Sequence, residues 1–207
     1  MSGAARARAL VVDFGWAGAA LAGEPVSGDA HVVAGFDGGA LVAVVDGLGH
    51  GPEAAAASRE AARILAERAA EPLHLLVQRC HEALRATRGA VMSLASFQRG
   101  GSMTWLGVGN VEGILLRGGQ AAGRAREAIT PRGGVVGYQL PALRPAVLAV
   151  APGDTLVLAT DGIRSGFVAD LEAGPTPQAL ADSILRGHAR GTDDALVVVA
   201  RYLGAPA

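Results

Sequence analysis

Short apolar runs, broken by glycine, proline and acidic residues, follow one another along most of the chain. Their length and valine content are typical of buried β-strands rather than of helices. The segments predicted as strands are 8–14, 29–36, 40–45, 90–98, 102–108, 113–117, 145–150, 154–160 and 195–199. Asp37-Gly38-Gly39 and Arg99-Gly100-Gly101 are predicted hairpin turns, because glycine-containing steps of this kind favour tight antiparallel connections. The pattern therefore predicts a protein rich in antiparallel strands.

Three stretches have helical composition or spacing instead. Residues 52–71 are mainly alanine, glutamate and arginine, which have high helix propensity. Residues 72–88 carry an apolar stripe at helical spacing. In the segment 176–190, Thr176 is suited to the N-cap and Pro177 to the first helical position. We therefore expect a pair of helices in the first half of the chain and one near its end.

Two stretches rich in glycine and alanine, 16–24 and 118–137, show neither the helical nor the strand spacing of apolar residues, so they are predicted to be connections. A loop as long as the second is often functional or mobile in a compact domain. Its arginines, Arg124, Arg126 and Arg132, are interpreted as solvated side chains, and contact with an acidic or phosphorylated partner is the alternative.

Composition limits the classes to which the chain can belong. Its 207 residues, half of them hydrophobic, suffice for one domain with a substantial core, so 1–207 is predicted to be a single domain. The net charge of -1 offers no electrostatic footprint for nucleic acid or an anionic membrane. No apolar run approaches the roughly 20 residues that span a bilayer. The single cysteine, Cys80, fits a reducing compartment, and it points away from the adjacent His81 on a helix, which argues against a zinc pair. We expect a cytoplasmic protein.

The run 40–45 ends abruptly in Asp46-Gly47-Leu48-Gly49-His50-Gly51, and a predicted helix follows at once. A strand, an acid, a glycine elbow and a helix present a carboxylate at the rim of a sheet, and glycine lets the backbone turn sharply there. Because a hairpin brings the start of one strand beside the end of the next, Asp29 is expected next to Asp46.

Four aspartates share this setting, since each lies where an apolar strand starts or stops beside glycine or threonine: Asp29, Asp46, Asp161 and Asp193. An Asp-Gly step alone is weak evidence, because Asp37-Gly38 is explained by a hairpin turn. Several ionised aspartates at one rim repel one another, so they need protons or a cation. Oxygen ligands without clustered histidine or cysteine favour Mg²⁺ or Mn²⁺. Two such ions sharing one carboxylate would activate a bridging water for phosphate-ester hydrolysis.

At these residues the chain resembles the metal-dependent type-2C (PPM) serine/threonine protein phosphatases, in the bacterial SpoIIE/RsbU branch, and within it the RsbX-type stressosome phosphatases. Four motifs in family order carry the resemblance: Val26-Ser27-Gly28-Asp29, Asp46-Gly47-Leu48-Gly49-His50-Gly51, Thr160-Asp161-Gly162-Ile163 and Thr192-Asp193-Asp194-Ala195. Weaker motifs of that branch are similar to Gly107-Val108-Gly109-Asn110 and Gly133-Gly134-Val135-Val136-Gly137. The resemblance covers roughly residues 8–202.

The resemblance implies an α+β fold, an αββα four-layer sandwich of two antiparallel sheets flanked by helices. It implies two Mn²⁺ or Mg²⁺ ions, and Asp46 as the residue that bridges them. The other implied metal ligands are the Gly47 carbonyl, Asp29 for the second metal, and Asp161 and Asp193 for the first. Asp194 is expected beside the ligands.

His50 lies near the position where some relatives place a general acid for the leaving alkoxide, and the alternative is a histidine that orders the elbow. The phosphate-binding arginine of eukaryotic members has no secure counterpart, and Arg6 and Arg8 are candidates by position only. The family's acidic third-metal position is not assignable.

The implied function is a phosphoserine/phosphothreonine protein phosphatase whose partners are phosphorylated STAS-domain proteins of a stressosome, similar to RsbR and RsbS. Alternatives are an anti-anti-sigma factor phosphatase of the RsbU/SpoIIE type and a non-catalytic pseudophosphatase that binds a partner. An ATP-binding anti-sigma kinase fold is disfavoured, because it needs an asparagine upstream and Asn110 is the only asparagine. A monomer is expected, although no sequence feature sets the oligomeric state.

Overall fold

Two five-stranded antiparallel sheets form the centre of the protein in a computed structural model, which describes residues 10–118, 126–171 and 174–204. One sheet has the strand order β1-β10-β9-β6-β7 and the other β2-β3-β4-β5-β8. The strands are β1 (Val12–Ala19), β2 (Asp29–Phe36), β3 (Gly39–Gly47), β4 (Ala90–Gln98), β5 (Ser102–Val108), β6 (Glu112–Leu116), β7 (Arg126–Ile129), β8 (Ala146–Ala149), β9 (Thr155–Ala159) and β10 (Ala195–Tyr202). The helices are α1 (Gly51–Glu67), α2 (Leu73–Leu84) and α3 (Pro177–His188), with a 3-10 helix at Ser165–Asp170.

The β3 strand shows why the apolar runs are continuous rather than alternating. Successive side chains of a strand point to opposite faces of the sheet. Ala40, Val42 and Val44 pack into the core between the two sheets. Their neighbours along the strand pack into a second core beneath α1 and α2. Since both faces are buried, residues 40–45 are all apolar.

The other sheet is covered in the same way by α3 and the 3-10 helix, which enclose a third core. The layers are therefore helices, sheet, sheet and helices, and the expected α+β four-layer sandwich is confirmed. No helix in the described part of the chain is both long and apolar enough to cross a bilayer.

Two predicted connections are wrong in part. Residues 16–19 belong to β1, where Trp16 pairs with Val198 and Ala19 with Ala195. This edge strand was not predicted because its residues are mainly glycine and alanine. It pairs with β10, and α3 also contacts it. The Gln178 side chain accepts a hydrogen bond from the Trp16 N–H at 3.2 Å and donates one to the Trp16 carbonyl at 2.8 Å.

The second correction concerns 118–137, which contains β7 paired with β6. The guanidinium of Arg126 donates to the backbone carbonyls of Val168, Ala169 and Leu171. Arg126 is exposed, as predicted, and its guanidinium also fastens the 3-10 helix. Arg124 lies outside the described residues, and Arg132 is exposed as predicted.

Candidate metal centre

Asp29 and Asp46 lie directly opposite each other, at the first residue of β2 and near the end of β3. The hairpin at Asp37-Gly38 sets this register, so the predicted proximity of the two carboxylates is confirmed. Both side chains are partly buried at the rim of their sheet.

Burial and mutual repulsion disfavour ionisation of this pair. Burial raises the pKa of Asp46 to about 8, and the negative charges of Asp29, Asp161 and Asp193 add to the shift. Burial also raises the pKa of Asp29 to about 7, against the hydrogen bond from Thr160, which lowers it. A cluster of carboxylates that resists ionisation at neutral pH is poised to bind cations.

The other sheet contributes Asp161 and Asp193 to the same rim. Asp161 follows the end of β9 and Asp193 precedes β10, and these two strands are antiparallel neighbours. Asp46, Asp161 and Asp193 together line one cleft of about 410 Å³. Its remaining walls are Leu48, Gly49, Val91, Gly109, Asn110, Gly133, Gly134 and Val135.

Thr160 connects the two sheets at this point. Its hydroxyl donates to Oδ2 of Asp29 at 2.9 Å and accepts from the backbone N–H of Leu196 at 2.9 Å. The contact joins the end of β9 in one sheet to the start of β2 in the other. Thr160 is buried, so it orients Asp29 without facing solvent.

Asn110 and Asp194 make hydrogen bonds that orient the Asp161 carboxylate and the backbone before Asp29. The amide of Asn110 donates to Oδ2 of Asp161 at 2.8 Å. Asp194 is 3% exposed and accepts from the backbone N–H groups of Leu21 at 2.8 Å and Gly28 at 2.7 Å. These two bonds satisfy a buried carboxylate and fix the segment that leads into Asp29.

The glycines of the two Asp-Gly steps at the rim are needed for close backbone approach. A Cβ at Gly47 would lie 2.2 Å from the Ala54 carbonyl oxygen in α1. A Cβ at Gly162 would lie 1.9 Å from the Asp194 carbonyl oxygen. No side chain fits at either position, so the aspartates are held in contact with the helix and the neighbouring strand.

The donor set fits hard divalent cations, since it consists of carboxylate oxygens from both sheets. Within the described residues, no three His, Cys, Asp or Glu side chains surround a single point as a ready ligand cage. Mg²⁺ in proteins retains several waters and is bound through one or two carboxylates, which the aspartates of this rim can supply.

His50 lies beside the elbow and pairs with Glu24, whose Oε1 is 2.5 Å from the histidine Nδ1. The ring is exposed and is not among the described residues that line the cleft. Its role as a general acid therefore stays a prediction, as does the role of the Gly47 carbonyl. Arg6 and Arg8 lie outside the described residues.

Cys80 and His81 take no part in the site. Burial raises the pKa of the Cys80 thiol to about 12, so it stays protonated. His81 Nδ1 accepts a hydrogen bond from the Gly137 N–H at 3.0 Å. The interpretation of this pair as structural agrees with these contacts.

The two antiparallel five-stranded sheets flanked by helices form the fold of the PP2C-type phosphatases. The family model for stage II sporulation protein E (SpoIIE) matches residues 37–203. The chain belongs to this family, and it is by class a protein serine/threonine phosphatase. No curated protein sequence matches it.

Solved structures share the architecture. One solved chain is 33% identical to this one, with a TM-score of 0.83; the match covers 92% of this chain and 99% of that chain. It comes from work on the bacterial stressosome as a modular system that has been adapted to control secondary messenger signaling. RsbX in complex with magnesium is 21% identical, with a TM-score of 0.81 and coverage of 92% and 94%. The PstP catalytic domain with two manganese ions is 19% identical, with a TM-score of 0.72 and coverage of 93% and 98%. At these identities, the last two support the fold alone.

Replacement of Thr160 by Val is expected to weaken Mn²⁺ binding by about 10- to 100-fold, the range for loss of a residue that orients a metal ligand. The change keeps the volume but removes the hydroxyl that holds Asp29. Isothermal titration with Mn²⁺ measures the effect. Thr155→Val at the opposite end of β9 is the matched control, because its hydroxyl bonds Gly153 instead. Equal Mn²⁺ affinity in wild type and Thr160→Val would contradict the positioning role.

Proposed function

We propose that this protein is an RsbX-type phosphatase that removes phosphate from phosphoserine or phosphothreonine in STAS-domain proteins of a stressosome. The observation that carries the proposal is that Asp46, Asp161 and Asp193 from two sheets line one cleft, while Asp29 lies directly opposite Asp46. Two bound Mn²⁺ or Mg²⁺ ions would supply an activated water for attack on phosphorus.

Within the proposal, the residues of the chain divide the work of holding the ions and the substrate. Asp46 would be a ligand of both ions, and the Gly47 carbonyl would be a further ligand. Asp29, oriented by Thr160, would hold the second ion, and Asp161 and Asp193 would hold the first. Asn110 keeps the Asp161 carboxylate in one orientation through its 2.8 Å hydrogen bond.

His50 would donate a proton to the leaving serine or threonine oxygen, as a general acid. Glu24 contacts Nδ1, so Nε2 is the nitrogen left to a substrate, and it would donate a proton only from a ring protonated on both nitrogens. The cleft, at about 410 Å³, is large enough for one phosphorylated side chain while the polypeptide that carries it stays outside.

The stressosome assignment rests on the 33% identical chain from stressosome work and on the chain's membership of the SpoIIE family. The test compares initial rates on phosphorylated RsbR- and RsbS-like STAS proteins, a phosphorylated anti-anti-sigma STAS protein and an unrelated phosphoprotein, each with and without Mn²⁺. We expect Mn²⁺-dependent release of phosphate, at least about tenfold faster from the stressosome proteins, since a difference of 1.4 kcal/mol in transition-state binding suffices.

Equal rates on all three substrates would overturn the stressosome assignment and leave the enzyme class standing. Preference for the anti-anti-sigma protein would favour the RsbU/SpoIIE-type alternative. Absence of turnover with retained partner binding would identify a pseudophosphatase. The proposal also treats 1–207 as one catalytic domain acting as a monomer, which light scattering of the purified chain tests.

A further inference from the structure

The turn formed by residues 87–90 joins the two walls of the metal cleft. On one side, the N–H of Leu48 donates to the carbonyl of Gly89 at 3.1 Å. On the other, Ala90 and Val136 exchange two backbone hydrogen bonds of 2.9 and 2.8 Å. Leu48 lines the cleft on the first side, and the second contact lies beside Val135, which also lines it. This segment therefore lies beside the cleft.

Arg88 is the charged residue of this segment; it lines a neighbouring groove with Glu53 and approaches the cleft at Gly49. The Nε–H donates to Oε2 of Glu53 in the first turn of α1, at 2.6 Å. Nη1 lies only 2.8 Å from the position that a Cβ would take at Gly49, a residue of the wall. Gly49 has a φ of 85°, so the absence of a side chain there suits both the backbone and the guanidinium.

The terminal nitrogens of Arg88 are available to a ligand. Arginine has five N–H donors, and Glu53 engages the one on Nε. In the described part of the chain, Nη1 and Nη2 donate to no protein acceptor. The Arg88 side chain is 51% exposed and the Glu53 side chain 71%. Solvent therefore screens this ion pair, and it holds the guanidinium only weakly.

Apart from the proposed metal ions, the described residues of the cleft offer the phosphate of a substrate no positive charge. Its ionisable lining residues within the described chain are the acids Asp46, Asp161 and Asp193, and none is basic. A phosphate monoester that enters the cleft brings further negative charge. The planar fork of a guanidinium matches two phosphate oxygens and forms strong charge-assisted hydrogen bonds with them.

We propose that Arg88 binds the phosphate group of the substrate through its Nη nitrogens at the mouth of the metal cleft. Glu53 holds the guanidinium over Gly49 and so acts as a positioning residue. This assignment rests on the proposed phosphatase function and adds a phosphate-binding residue to it.

The test measures kcat and KM for a phosphopeptide and for a small aryl phosphate, with inorganic phosphate as inhibitor, in Arg88→Ala and Arg88→Lys. Because hydrogen bonds to charged groups typically contribute 1.5–3 kcal/mol, Arg88→Ala is expected to raise KM and the phosphate inhibition constant by on the order of tenfold or more. The effect is equal for both substrates, because they share the phosphate. Arg88→Lys restores part of it, and Glu53→Gln causes a smaller rise.

Arg85→Ala is the matched control, since it removes the same charge from an exposed position three residues earlier. It leaves KM unchanged, and melting temperatures identify any variant that fails to fold. An unchanged KM in Arg88→Ala, or a rise for the phosphopeptide alone, would overturn the assignment in an active enzyme.

Titration calorimetry of inorganic phosphate into the Mn²⁺-loaded protein separates this proposal from the proposed function. If wild type turns over no phosphoprotein but binds phosphate more tightly than Arg88→Ala, the phosphatase function fails and the binding role of Arg88 stands. Equal affinities, or no binding to either protein, overturn the role of Arg88 whatever the activity.

Discussion

Replacement of Asp46 by Asn is expected to lower phosphatase activity by more than about 1,000-fold, which corresponds to about 4 kcal/mol of lost transition-state stabilisation. The amide keeps the shape of the side chain but removes the charge that the two ions would share. Asp46 lies opposite Asp29 of its own sheet and lines the cleft with Asp161 and Asp193 of the other sheet. Phosphate release at saturating Mn²⁺ measures the loss.

Asp37→Asn is the matched control for this change. Asp37 also precedes a glycine and lies on the same hairpin, but it is exposed at the opposite end of β2 and β3. It should retain wild-type activity. If Asp46→Asn keeps more than a tenth of the wild-type rate at saturating Mn²⁺, the bridging role of Asp46 is wrong.

The second large effect concerns the stability of the metal-free protein, which we expect to fall as pH rises from about 4 to about 8. The Asp46 pKa is about 8 in the folded protein against 3.8 as its ordinary value, and burial is the main cause. Between these values the unfolded chain has released a proton that the folded chain retains. Deprotonation therefore favours unfolding, by up to about 1.4 kcal/mol per pH unit for one such group.

Urea unfolding of chelator-treated protein at pH 5, 6, 7 and 8 measures this loss. Asp46→Asn carries no titrating group at this position, so its free energy of unfolding should fall less steeply and exceed that of wild type at pH 8. Asp37→Asn should follow the wild-type profile. Addition of Mn²⁺ at pH 8 should restore stability to wild type more than to Asp46→Asn, because only the folded site binds the ions. Parallel profiles for wild type and Asp46→Asn would show that burial of Asp46 does not disfavour its charge.

The pairing of Asp29 with Asp46 could be predicted because it is local. A two-residue turn at Asp37-Gly38 sets the register of the strands it joins, and the register places the two carboxylates opposite each other. Asp161 and Asp193 also flank neighbouring antiparallel strands, but α3 lies between β9 and β10 in the chain, so no turn sets their proximity. In both cases an acid marks the boundary of an apolar run, so the strand ends could be predicted from the sequence.

The two edge strands were harder to predict because pairing with a neighbouring strand, rather than the β-propensity of their own residues, makes them strands. Residues 16–19 are rich in glycine and alanine, and pairing with β10 makes them a strand. Residues 126–129 become β7 through pairing with β6. Neither segment has the alternating pattern that marks a strand in isolation, and context overrides weak propensity at such positions.

The sequence by itself determined the apolar strands, the two Asp-Gly steps of the rim and the motifs that place the chain in its family. Only the tertiary structure decided that Thr160 bonds Asp29 across 131 positions of the chain and that Arg88 lies over Gly49. The physical reason is that hairpin contacts depend on a few neighbouring residues, whereas contacts between sheets depend on how whole layers pack. A polar residue at the end of a strand, such as Thr160 or Asn110, signals a role at the rim, but its partner is settled by the stacking of the sheets.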